Sequence, residues 1–247
     1  MFLVPLFASN LSTNKIGHRI EYLKSVDSTN TEIYRMFQNH SIQFGNLVFA
    51  EQQISGRGRR NNIWYSKPGE SITCSIILKN NASDLLQKLP LLTGISIIKG
   101  IKQLTDIECE LKWPNDIVYN SKKIGGVLIE NKGDCLIIGV GLNVNENELE
   151  ESIQKTTLSL KLIINRSVQR ELLLAFILNH FESLMNQSLK SIIKEWESSC
   201  AHMGTSINFH QSGKLISAKF LGLNQDGEAT MKIGAEKKTI TSGIIEL

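Results

Sequence analysis

The sequence has little of what marks a secreted, metal-held or membrane-embedded protein. Its 247 residues include only four cysteines, Cys74, Cys109, Cys135 and Cys200. None are paired as CxxC, so neither a disulfide framework nor a zinc knuckle is expected. That usage fits a reducing compartment, and a cytoplasmic location is the expectation. The five histidines, at 18, 40, 180, 202 and 210, are not at metal-ligand spacing. No apolar run approaches the roughly 20 residues needed to cross a bilayer, so no membrane contact is expected. The apolar start, Phe2 to Ala8, has no basic residue before it and is broken by Pro5, which argues against a signal peptide. Charge is nearly balanced, at +3, so a bulk attraction to nucleic acid is not indicated.

What is present is ordinary globular composition, 41% hydrophobic and 21% charged, enough for one large domain with a small one attached. Strands are predicted over 19–26, 46–51 and 71–79. Asp27-Ser28-Thr29-Asn30 signals a helix start, with a capping box between Thr29 and Glu32 and an apolar face from Ile33, Met36 and Phe37. Leu85, Leu89, Leu92, Ile95, Ile98 and Ile101 recur at helical spacing, with a start or kink at Pro90. Four close strands follow over 108–112, 116–119, 124–130 and 135–142. A long amphipathic helix over 168–189 and another over 192–200 come next.

Beyond about residue 203 the pattern becomes short alternating runs punctuated by Ser212-Gly213, Asp226-Gly227 and Gly234. Two domains are therefore expected, 1–202 and 203–247. The class is α+β with a mixed or antiparallel central sheet and helices packed on it. The short gaps between residues 108 and 142 leave no room for the crossovers of a doubly wound parallel sheet.

Charge is concentrated where the total hides it. Ser55 to Lys67 holds four basic residues and no acidic one. Within it, Gly56-Arg57-Gly58-Arg59-Arg60 combines a turn that lets backbone N–H groups converge on an anion with guanidinium forks that match phosphate oxygens. A solvated basic hairpin fits the same residues. Neither GxxxxGK[ST] nor a GxGxxG that opens a helix occurs, which excludes the P-loop and dinucleotide fingerprints.

Lys112-Trp113-Pro114-Asn115-Asp116 groups a cation, a rigid proline, an amide suited to an adenine edge and a carboxylate suited to Mg²⁺. A capped turn is the plainer reading. Lys123 precedes a strand interrupted by Gly125 and Gly126, and Gly139, Gly141, Asn143 and Asn145 follow on its neighbour. Glycines in strands are tolerated where a ligand or another backbone comes close, or at a bulge.

Taken together, these residues are similar in order and spacing to biotin–protein ligases. The resemblance is carried by Ser28-Thr29-Asn30, Gln53-x-x-Gly56-Arg57-Gly58-Arg59-Arg60 with Trp64, Lys112 to Asp116, Lys123-x-x-Gly126 and Gly139-x-Gly141-x-Asn143. It is strong from about residue 20 to 145. It continues weakly to Ser242–Leu247, which looks like the last strand of that family's small SH3-like barrel. The resemblance implies a class II synthetase-like biotin/lipoate ligase catalytic domain with that barrel attached. It implies ATP and biotin as substrates, with Mg²⁺, and a biotin carboxyl carrier domain of a carboxylase as the acceptor.

Roles follow residue by residue. Lys123, Arg59 and Lys112 are the catalytic candidates. Biotin would be bound by Ser28, Thr29, Asn30, Gln53, Gly56, Arg57, Lys123, Gly125 and Gly126. The nucleotide would be bound by Arg57, Arg59, Arg60, Trp64, Lys112, Asn115 and Asn143, and Asp116 is the Mg²⁺ candidate. Residues 55–65 are expected to be mobile without ligand.

One departure is the run Asn61-Asn62 before Trp64, where the family commonly has Gly-Arg; this puts one phosphate contact in doubt. The resemblance begins near residue 20, too early to leave room for an N-terminal helix-turn-helix, so no DNA binding or repressor function is expected. A homodimer through a sheet edge is compatible with the family. Two other readings remain open: a lipoate ligase or related acyltransferase with the same architecture, and a nucleic-acid-binding module using the three loop arginines.

Overall fold

A computed structural model describes residues 1–81, 84–211 and 214–246. Seven strands form the larger sheet, in the order β1-β2-β3-β7-β6-β5-β4. They are β1 (Ile20–Leu23), β2 (Leu47–Ala50), β3 (Ile72–Lys79), β4 (Glu110–Lys112), β5 (Asp116–Tyr119), β6 (Lys122–Lys132) and β7 (Cys135–Leu142). Only β1 and β2 run parallel; every other neighbour is antiparallel. The sheet is thus mixed, as the short gaps require. Asn120 and Ser121 both have positive φ, 48° and 62°, which is the twist a two-residue hairpin between β5 and β6 needs.

Strand alternation divides the sheet into two chemically different faces. Cys74, Ile76, Leu78, Leu136, Ile138, Val140 and Leu142 point into the main core. Helices α3 (Leu85–Thr105), α5 (Arg170–Met185) and α6 (Leu189–Ser198) belong to that side. The opposite face is covered at one end by α2 (Thr29–Gln38), where Ile33 meets Val48, Ile77, Cys135 and Ile137 in a second small core. The rest of that face carries glycines, small polar residues and Leu128, and among the described residues no helix packs on it.

Several expectations change in detail. The residues expected to extend strand β1 from 19 to 26 contribute only the span given above. Helix α2 is preceded by Ser28 as N-cap, without a side-chain cap. The Thr29–Glu32 capping box is absent because Gln53 Oε1 takes the Thr29 N–H (2.8 Å) and Glu32 pairs with Arg35 instead. Helix α3 starts five residues before Pro90, which it holds internally. The helix expected over 168–189 ends at Met185, and Ser188 caps α6 by accepting from Ser191 N (3.2 Å). Two short helices had no clear signal. They are α1 (Val4–Asn10), next to which Phe2 stacks 4.2 Å from Phe49, and α4 (Leu160–Ile164).

The C-terminal segment forms β8 (Ser206–Gln211), β9 (Lys214–Leu223), β10 (Ala229–Ile233), β11 (Glu236–Ile240) and β12 (Ile244–Glu246). All are antiparallel, in the order β11-β10-β9-β8-β12. Among the described residues β11 and β12 remain edges, so the sheet is open and does not close into the expected barrel. Its inner side, with Phe209, Phe220 and Met231, is buried. Phe220 packs on Trp196 and His202 of the main body, which satisfies the apolar side without closure. The Ser212-Gly213 turn and Leu247 lie outside the described residues.

Candidate functional site

Register assembles the site. Lys112 pairs with Asp116, Asp116 with Gly126, Gly126 with Gly141, and Gly141 with Thr73. These residues form one continuous row across β4, β5, β6, β7 and β3. Directly opposed residues share a face, so Lys112 and Asp116 stand on the open face beside a gap left by two glycines. The next row is Leu128, Gly139 and Ser75. The two glycines of β7 are occupied from above. A Cβ on Gly141 would lie 2.4 Å from the Trp64 ring, and one on Gly139 would lie 2.5 Å from Asn30 Oδ1.

Lys123 curls back over this floor. Its Nζ is 2.6 Å from Asp116 Oδ1 and 5.8 Å from the centroid of the Trp64 ring. Gly126 makes the approach possible: a Cβ there would sit 3.3 Å from Lys123 Nζ and 3.4 Å from Asp116 Oδ1.

The basic loop crosses above. It is held by a bridge between Arg57 and Ile63 and by Trp64 N donating to Gly56 O (2.9 Å). Arg59–Asn61 form a 3-10 turn in which Arg60 has φ 55°. That turn sends Arg59 inward, where Nη1 donates to Asn115 Oδ1 (3.3 Å), and Asn115 Nδ2 donates to Val127 O (2.6 Å). Arg57 instead reaches Thr31 Oγ1 on α2 (2.8 Å). The Trp113–Pro114 peptide is cis, and Trp113 is buried.

At the other end lies a chain of polar groups. Gln53 Oε1 accepts from Thr29 N (2.8 Å) and Thr29 Oγ1 (3.1 Å). Ser75 Oγ is 2.7 Å from Thr29 Oγ1 and 2.6 Å from Asn30 Oδ1, and Asn30 Nδ2 donates to Glu130 Oε2 (2.8 Å). Gln53 thus spends its oxygen on Thr29, and its amide nitrogen carries two further N–H donors.

Electrostatically the pocket is cationic with one carboxylate. Arg57, Arg59, Arg60, Lys112 and Lys123 line it, and Asp116 is the acidic side chain among the lining residues. Burial lowers the pKa of Arg59, helped by the neighbouring Arg60 charge and opposed by Asp116. Burial likewise lowers that of Lys112, opposed by Asp116 and reinforced by Lys123. Both cations gain from an anion entering the pocket. Among the described residues no three His, Cys, Asp or Glu side chains converge on a metal position.

Of the nominated residues, Thr29, Asn30, Gln53, Arg57, Arg59, Arg60, Trp64, Lys112, Asn115, Asp116, Lys123 and Gly126 all line this one pocket. Four do not. Gly125 faces the core, where a Cβ would lie 2.8 Å from Leu142 Cδ1; adjacent strand residues face opposite ways, so only Gly126 reaches the pocket. Gly56 supports the loop, where a Cβ would lie 2.5 Å from Trp64 O and 3.1 Å from Gln53 Nε2. Ser28 is buried at the start of α2. Asn143 is buried and donates to Leu158 O (3.2 Å), beside a separate hollow that Trp64, Lys67 and Glu146 also touch.

Sequence reasoning missed Ser75, a serine inside an apolar strand. It also missed Gly243, Ile244 and Ile245, by which the C-terminal sheet closes one wall. Period-2 alternation in β3 could have flagged Ser75, since it shares a face with Thr73. Nothing local points to the C-terminal wall.

Comparison with known proteins bears on this arrangement. The profile of the "Biotin/lipoate A/B protein ligase family" matches residues 22–143. The chain is 30% identical over 251 aligned positions to the bifunctional ligase/repressor BirA of Bacillus subtilis, covering 96% of this chain and 76% of that protein. It is 25% identical to biotin–protein ligase 2 of Arabidopsis thaliana, covering 82% of this chain and 65% of the relative. Its structure superposes on the Aquifex aeolicus biotin protein ligase in complex with biotin and ATP with a TM-score of 0.80. That match is 31% identical and covers 92% of this chain and 97% of the other.

Proposed function

The chain belongs to the biotin/lipoate A/B protein ligase family, and from that premise we infer that its cationic pocket joins biotin to ATP and passes the biotinyl group to a protein lysine. The chain is an ATP-dependent biotin–protein ligase. What carries the assignment of roles is one arrangement: loop arginines and Lys123 share a pocket whose far end is the polar chain from Gln53 to Asn30.

In the first step a biotin carboxylate oxygen attacks the α-phosphorus of ATP. The bond from that phosphorus to the bridging oxygen breaks, and pyrophosphate leaves. Both reactants are anions, so their approach is unfavourable unless fixed cations offset it. Lys123 would lie between them; in support, it reaches over Gly126 to Asp116 Oδ1. Arg59, steered by Asn115, and Lys112, on the same row as Asp116, take the phosphates. Arg57 and Arg60 add charge at the mouth, and Trp64 forms a flat wall over Gly141 against which the adenylate packs.

The polar end takes the vitamin's ring. A cyclic urea offers two N–H donors and one carbonyl. Thr29, Gln53 and Asn30, coupled through Ser75, supply matching acceptors and donors inside a buried network. Gly126 leaves room for the aliphatic tail. The acyl-adenylate is hydrolysable, and the loop that closes over it keeps water out.

A Mg²⁺ ion bound with ATP would neutralise phosphate charge, and Asp116 would be the residue that holds it. One or two carboxylates plus phosphate oxygens make a usual Mg²⁺ shell, and Asp116 is placed to supply one. In the second step the neutral amine of the acceptor lysine attacks the acyl carbon, an amide forms, AMP leaves and the ammonium proton is lost. The acceptor is a biotin carboxyl carrier domain. The catalytic unit and the C-terminal unit divide near residue 202, and the latter completes the wall with Gly243–Ile245.

Biotin-dependent pyrophosphate release from ATP tests this directly. The native chain should release pyrophosphate with biotin and not with lipoate; Lys123→Ala and Arg59→Ala should lose that release. Equal turnover of lipoate, or full activity in both variants, would remove the proposal.

A further inference from the structure

The loop that carries the arginines begins and ends on a buried ion pair. The ladder between β2 and β3 stops at Ala50 and Thr73. Beyond it the two stems are joined through side chains. Glu51, 6% exposed, follows β2; Ser71, fully buried, precedes β3. Glu51 Oε2 accepts from Gly69 N (3.0 Å) on the opposite stem. Arg170, 4% exposed, donates Nη1 both to Glu51 Oε2 (2.8 Å) and to Ser71 O (2.8 Å), and Nη2 to Glu51 Oε1 (3.2 Å). Glu51 Oε1 also accepts from Phe2 N (2.6 Å) and Tyr22 Oη (2.9 Å).

A buried ion pair is a poor source of net stability, because desolvating both charges consumes most of the attraction. What it supplies is direction: each lone pair and each N–H has one satisfied geometry. Here that geometry spans the two ends of one loop. Gln53, at the ring end of the pocket, is two residues from the carboxylate.

We propose that Glu51 and Arg170 are positioning residues: they clamp the stems of the arginine loop so that Gln53 and Arg59 meet the pocket together. The activity arm of the test rests on the ligase reading; the exchange arm does not. Neither residue touches the pocket, so neither is catalytic.

Hydrogen–deuterium exchange of unliganded protein, followed on peptides covering 53–68, tests the clamp. Glu51→Gln should speed exchange there at least tenfold more than it speeds exchange of peptides from β7 and α3. In pyrophosphate-release kinetics it should raise KM for ATP and for biotin at least fivefold, with a smaller change in kcat. Arg170→Lys keeps the charge but loses the fork, and should fall between native and Glu51→Gln. Tyr22→Phe leaves both stem contacts intact and should leave loop exchange native.

Unchanged loop exchange in folded Glu51→Gln overturns the clamp. So does an increase spread equally over core peptides, since the pair would then serve global stability only. If Glu51→Gln does not fold, Arg170→Lys decides by the same two criteria. A chain lacking biotin-dependent pyrophosphate release would sink the ligase reading and leave the exchange result standing.

Discussion

Lys123 Nζ and Asp116 Oδ1 are 2.6 Å apart, over Gly126, where a Cβ would sit within 3.4 Å of both. On the proposed mechanism, the ammonium that lies between two anions is held in place before either arrives. Pre-placed charge needs no reorganisation when the negative charge comes together. Replacing Lys123 by Ala should lower the rate of adenylate formation ~10²–10³-fold, with biotin affinity changed far less. Single-turnover pyrophosphate release separates the two. Loss of binding without loss of rate would contradict a role in the reaction itself.

Gly141 is the seat of Trp64. Because an added Cβ would meet the indole at 2.4 Å, Gly141→Ala should lift Trp64 off the sheet and out of the pocket wall while the strand remains paired. The expected result is a protein with native circular dichroism, altered tryptophan emission and a KM for ATP raised about tenfold. Native emission with native KM would show that the wall tolerates the methyl.

Ser75 links Thr29 to Asn30 at 2.7 and 2.6 Å. Ser75→Ala leaves both partners buried with a lost contact, at a cost of about 1–2 kcal/mol. If that network receives the ring of biotin, the loss appears as roughly tenfold weaker biotin binding, measurable by calorimetry, with ATP affinity unchanged. Equal weakening of both ligands would place Ser75 in general packing.

Glu51 makes acid stability specific. Burial alone would raise the Glu51 carboxyl, but hydrogen bonds and charge from Arg170, with help from Tyr22 and Phe2 N–H, bring it from 4.5 down to about 2. A carboxyl whose pKa is depressed on folding contributes stability that is complete above its unfolded value and disappears as pH falls through its folded value. The window is therefore pH 4.5 down to about 2. Urea unfolding across that range should show native stability falling toward that of Glu51→Gln. At neutral pH the variant should be ~3–5 kcal/mol less stable, because it leaves Arg170 buried without its counter-charge. A gap independent of pH would refute the assignment to this carboxyl.

Much of the site was legible because its chemistry sits in short contiguous runs. Gly56 to Arg60, Lys112 to Asp116 and Lys123 to Gly126 each declare their residue types locally, and each supplies side chains to one pocket. The alternation of β3, β6 and β7 and the short gaps between β4 and β7 were equally readable, and they sufficed for a mixed or antiparallel sheet. Local sequence did not give the phase of a glycine pair. Gly125 and Gly126 look equivalent in the chain, yet strand geometry sends one to the core and the other to the pocket.

The sequence by itself determined the kinds of group available: guanidinium forks on a glycine turn, a lysine ahead of glycines, and amides and hydroxyls at a helix start. Tertiary structure decided which of them meet. Cross-strand register put Lys112, Asp116, Gly126 and Gly141 in one row, and it brought Ser75 under Asn30. Folding paired Glu51 with Arg170 across 119 residues, and it turned Ile244 and Ile245 from the far end of the chain into a wall of the pocket. Residue type is a local property. Register and long-range contact arise only when the whole core is packed, because only then does each apolar face have one place to go.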